Sequence, residues 1–217
     1  MTLEGLILKR CRGSAAVVVR RAQGPIQNDL TLERVAFFGN DNDDLGGGLR
    51  VDGCCGEDLI RVEMRYCAFR RNIANSGAAI GGSHLELDVR HSRFVDNVAR
   101  RGHGGAIFAN ESDLALASSR FVKNEAAASG GGIYLTGIEA RLDVSTTIFK
   151  RNECGKELRD IHFSSEVYSA VFCRPLFLDV FEFRRLSLVE LLRCIQLVRL
   201  HCENAFSERM PQFVAVR

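Results

Sequence analysis

Hydrophobic and polar positions alternate along most of this chain, and the alternation restarts at near-constant intervals. In Leu85-Glu-Leu87-Asp-Val89-Arg90 every second residue is apolar, the period of a strand with one buried face. Matching apolar pairs are Leu30/Leu32, Val62/Met64, Leu114/Leu116 and Leu142/Val144. Each pair stands seven and five residues before a phenylalanine, and each phenylalanine is followed three residues on by asparagine. The resulting Phe-x-x-Asn copies are Phe37/Asn40, Phe69/Asn72, Phe94/Asn97, Phe121/Asn124 and Phe149/Asn152, with steps of 32, 25, 27 and 28 residues. Self-similarity at such a period marks a repeat architecture.

A second apolar segment opens after each Asn behind small residues: Gly46-Gly-Gly-Leu49, Gly77-Ala-Ala-Ile80, Gly104-Gly-Ala-Ile107 and Gly130-Gly-Gly-Ile133, with Gly13-Ser-Ala-Ala-Val17 in the same slot earlier. The unit therefore reads as strand, short turn, strand, polar turn, with no helical stretch. That excludes a βαβ crossover or a helical hairpin. It fits one coil of a single-stranded parallel β-helix, where equivalent strands pair at about 4.8 Å. In that fold each Phe is expected to stack on the next and fill a narrow interior. Each Asn is expected to bond the next amide and the turn backbone, and to tolerate left-handed turn geometry.

The alternation of Phe-x-x-Asn with Gly104-Gly105-Ala106-Ile107 resembles the repeats of chlamydial polymorphic outer membrane proteins and related right-handed, pectin-lyase-like β-helix proteins. The likeness covers about residues 3–163. It implies an all-β, right-handed parallel β-helix of about five coils. It also implies an extracellular or cell-surface location and a non-catalytic, adhesin-like binding role. The family's signal peptide and C-terminal membrane barrel are not seen here. Leu6 and Leu8 already sit at strand positions, so the chain is expected to be a fragment of a longer protein.

Composition divides the chain in two, residues 1–163 as β-helix repeats and 164–217 as a C-terminal cap or tail. All 20 glycines lie at or before Gly155. Val167 to Phe183 is aromatic-rich and broken by Pro175. Leu186 to Leu200 lacks Gly and Pro and is rich in helix formers, so a mainly α-helical cap over the last coil is expected. A net charge of +2 gives no reason to invoke nucleic acid. No segment reaches the roughly 18 apolar residues that span a bilayer. Of the eight cysteines, Cys11 and Cys67 are read as sharing one column two coils apart, roughly 10 Å and beyond disulfide reach. Most are expected to be small buried residues in a reduced state.

Candidate chemistry is sparse, and no catalytic residue, metal site or cofactor is assigned. Gly102-His103-Gly104 and Asp43-Asp44 resemble elements of polygalacturonases, but they fall two coils apart and should not meet. Asp41-Asn-Asp-Asp-Leu-Gly46 fails as a calcium loop because its fifth position is Leu, and it reads as a solvated turn. Asn110-Glu-Ser112 is a glycosylation sequon in a turn. The outward positions of the strand before each Phe offer a candidate ligand surface: Glu63 and Arg65 beside Arg61, then Glu86, Asp88 and Arg90, then Asp113. Stacking places Glu63 beside Asp88, Glu86 beside Asp113, and Arg61 beside Glu86. Such a face suits a glycan or protein ligand, whose hydroxyls and acids Arg and carboxylates bind. Two other functions fit the same sequence: a divergent carbohydrate-active lyase, hydrolase or epimerase, and a purely structural repeat protein.

Overall fold

The repeating alternation builds a parallel β-solenoid of about five coils. A computed structural model describes residues 1–20, 29–53, 59–137, 140–155, 157–158, 161–163 and 169–173. No helix occurs among them, and the expected helix at 186–200 lies outside the described residues.

A full coil passes through four sheets, though the first two coils have no strand in the third. Sheet 1 stacks seven strands: Thr2–Glu4, Leu30–Glu33, Ile60–Arg65, Leu85–Arg90, Asp113–Ala117, Arg141–Ser145 and Ser169–Cys173. Sheet 2 stacks six three-residue strands centred on Leu8 and the five repeat phenylalanines, from Ile7–Lys9 to Ile148–Lys150. Sheet 3 begins after Asn72 and has two-residue strands such as Val98–Ala99 and Glu125–Ala126. Sheet 4 carries the post-glycine segments Val17–Arg20, Leu49–Asp52, Ile80–Ser83, Ile107–Asn110, Ile133–Thr136 and Ile161–Phe163. The named strands pair in parallel with the coil before or after. The exception is Glu157–Leu158, which turns back antiparallel on Glu153–Cys154. The sequence predicted two strands per unit and the fold has four. The Phe strand is separate because a left-handed residue stands three positions before each repeat Phe, at Arg34, Tyr66, His91, Ser118 and Thr146.

The apolar columns are in register. Leu87 pairs with Val62 and Leu114, and Val89 with Met64 and Leu116, all fully or nearly fully buried. The five phenylalanines form a continuous stack with ring centroids 4.4 to 5.0 Å apart and planes within 11°. Each buried Phe contributes about 1.5–3 kcal/mol by leaving water, and each ring pair about 0.5–1.5 kcal/mol more. Beside them runs an asparagine ladder. Asn97 Nδ2 donates to Asn124 Oδ1 at 2.9 Å and to the Phe69 carbonyl at 3.1 Å, and the pattern repeats from Asn40 to Asn152. Ser92, Ser119 and Thr147 add a shorter hydroxyl column at the preceding corner.

Two expectations are corrected. The ladder asparagines are not the left-handed residues; the positions just before them are, namely Gly39, Arg71, Asp96, Lys123 and Arg151. The turn is held by the buried amide, so the strained position accepts almost any outward side chain. Cys11 does not share a column with Cys67. Leu8 takes the Phe position opposite Phe37, which puts Cys11 opposite Asn40, whose Oδ1 accepts the Cys11 N–H at 3.1 Å. Cys67 lies two residues before Phe69, fully enclosed, where burial pushes its thiol up. Cys11 and Cys67 are free thiols.

Candidate ligand-binding surface

The outward face of sheet 1 brings the sequence-picked residues together. In Ile60–Arg65, Leu85–Arg90 and Asp113–Ala117 the apolar residues point inward, so the alternate residues line one surface. Glu86 is flanked by Arg61 on one side and Asp113 on the other. Asp88 lies beside Glu63, and Arg90 beside Arg65. Register is fixed by the buried columns, since a one-residue slip would turn every charge inward.

The charges partly neutralise one another. Arg61 donates to Glu86 at 2.9 and 3.1 Å, and this hydrogen bond holds its guanidinium above the usual range. Arg90 turns back along its own strand and clasps Asp88 through three contacts of 2.8 to 3.0 Å. Asp113 is half-buried. Its carboxyl is pushed up, first by desolvation and further by Glu86, against the pull of Arg141. Arg65 stands between Glu33 and Arg90 without a carboxylate within 4 Å among the described residues. The face thus presents free guanidinium N–H groups beside carboxylate oxygens, the pairing that binds hydroxyl-rich or acidic ligands. No nucleophile and base stand in contact on it.

The remaining sequence candidates disperse. Asp43 and Asp44 lie one coil from Asn75, and Asn75 lies one coil from Gly102, so His103 is two coils away from the paired aspartates. The acids bind arginines instead: Asp41 and Asp43 meet Arg100, and Asp44 meets Arg50. The acidic turn is therefore an arginine-clamped turn, with Asn42 Nδ2 donating to the Leu45 carbonyl at 2.6 Å. Among the described residues no group of three or more His, Cys, Asp or Glu converges on one point. In the sequon, the Ser112 hydroxyl is buried and donates to the Asn110 carbonyl at 2.6 Å.

Sequence reading missed one aromatic cluster. The His103 ring stacks on Tyr134 at 4.2 Å, and Tyr134 lies parallel to Phe108 at 5.7 Å. Burial lowers the His103 pKa, and its Nδ1 has no partner among the described residues. The signal was present in the sequence, because Phe108 and Tyr134 each follow the Ile of the glycine segment.

No protein-family model matches the chain, and no match was found among curated proteins or solved structures. No described helix is long and apolar enough to cross a membrane.

Proposed function

We propose that this chain is a non-catalytic β-helix binding scaffold of the surface or extracellular, adhesin-like kind. It would be right-handed like the polymorphic outer membrane proteins its repeats resemble. The observation that carries this reading is the division of labour within each coil. The Phe, Asn and hydroxyl columns are consumed by the interior. The variable residues stand outward in fixed register on one face. A stack of this kind presents side chains at regular intervals without loop motion, which suits recognition of an extended ligand. Glu63, Arg65, Glu86, Asp88, Arg90 and Asp113 form the leading ligand surface.

The test is binding of the purified chain to a glycan array and to cells, alongside an assay for turnover of every glycan bound. The scaffold reading expects saturable binding without product, weakened in D88N and E63Q. Product formation that disappears in those variants would make the protein an enzyme instead.

A further inference from the structure

The net charge of +2 hides a strong segregation of charge between faces. On the outward side of sheet 2, and on the turn residue that follows each of its strands, every charged side chain is cationic apart from Asp96. Arg70, Arg93 and Arg120 are exposed on consecutive strands, and Lys150 continues the face on the next. The left-handed turn position beside them adds Arg71, Lys123 and Arg151, also exposed.

Several cations on the other faces are paired. Arg20, Arg50, Arg61, Arg90 and Arg100 each hold a carboxylate. On sheet 2, only Arg71 comes near one, Asp96 at 3.9 Å, and among the described residues the others have none within 4 Å. Arg93 and Arg120 are direct lateral neighbours. Like charges so placed oppose folding. Sites that carry such local conflict are where function is expected.

We propose that this face binds a linear sulfated polysaccharide laid along the solenoid axis. The cations occupy four consecutive strands, from Ala68–Arg70 to Ile148–Lys150, so a chain along the axis meets them over three steps of about 4.8 Å, roughly 14 Å. Sulfate oxygens accept charge-assisted bonds from guanidinium N–H groups. Nucleic acid fits less well. Sheet 2 is built of three-residue strands, and among the described residues no helix projects from it to enter a groove. Its outward aromatic side chain is a half-buried Phe38, so a single strand would find stacking only at the corner, on the Tyr66–His91 pair. The inference deepens the scaffold reading and rests on it for access to glycan.

The experiment is calorimetric titration of the full chain with heparin across a salt series, for wild type, R93Q/R120Q and R20Q. Wild type should bind with an affinity that falls steeply with salt. R93Q/R120Q should lose at least about tenfold at low salt, with its salt slope reduced by about 2, while R20Q on sheet 4 binds as wild type. Because the substitutions remove repulsion, the R93Q/R120Q unfolding midpoint should equal or exceed that of wild type, which separates lost binding from lost fold. Absent heparin binding, or unchanged binding in R93Q/R120Q, overturns the proposal. So does equal or tighter Arg93-dependent binding of duplex DNA or of phosphatidylserine vesicles. If heparin binding fails while glycan-array or cell binding persists, the sheet 2 inference falls and the scaffold reading stands. If both fail, both fall.

Discussion

Replacing Asn97 by Ala should remove a large share of this protein's stability. Asn97 is fully buried. Its Oδ1 accepts the Asn72 backbone N–H at 3.1 Å and the Asn72 Nδ2 at 3.0 Å. Its Nδ2 donates to the Phe69 carbonyl at 3.1 Å and the Asn124 Oδ1 at 2.9 Å. Alanine leaves two buried donors of Asn72 without this acceptor. At about 1–3 kcal/mol for each orphaned buried group, the loss should be about 3–5 kcal/mol, against a usual total of roughly 5–15 kcal/mol. Asn40 stands nearer the rim, where its Oδ1 accepts only the half-buried Cys11 N–H. N40A should therefore cost about 1–2 kcal/mol. Asn97→Asp keeps the acceptors but sets a carboxylate against Asn124 Oδ1. Its burial raises the folded pKa, so N97D should gain stability as pH falls through that value. Urea unfolding followed by far-ultraviolet circular dichroism measures all three. A loss below about 1 kcal/mol in N97A, or an equal loss in N40A, would refute the ladder as a source of stability.

Two smaller effects follow from the same geometry. Lys123 is exposed at φ 53°, and Gly39 occupies the same turn position in an earlier coil, so Lys123→Gly should stabilise by up to about 1 kcal/mol. Val122→Gly, one residue earlier in the strand, should destabilise, and paired thermal melts decide between them. Asp113 has a raised folded pKa, so the folded state binds its proton more readily and stability falls as pH rises through that window. Asp113→Asn should accordingly raise the neutral-pH midpoint. Because the site is only half-buried, it should give less than about 1 kcal/mol, fading below the ordinary carboxylate range.

The interior was legible because a solenoid stacks identical needs at identical intervals. Phe94 had to meet Phe121, and Leu87 Leu114, once one repeat made one coil. The sheet 1 face followed from the same alternation, including Arg61 beside Glu86. The Cys11 column was misread because Leu8 stands where a Phe marks the other copies. The left-handed turn residues gave no conformational signal, since arginine and lysine do not favour that backbone and glycine stands there only at Gly39; the buried Asn that follows each one imposes the backbone. The basic face was hidden because no repeat contributes more than two of its cations, and acids on other faces cancel them in the net charge.

The central claim is that one repeat is one coil, with columns set by repeat position. Deleting residues 85–111 should join His84 to Ser112 at equivalent positions and let Ile60–Arg65 pair with Asp113–Ala117 in the old register. Urea unfolding of that deletion is the direct test. A cooperative β-rich transition is predicted for it, and no folded baseline for a deletion of residues 85–97, which removes part of a coil. Loss of structure in both chains, or equal folding of both, would contradict the account.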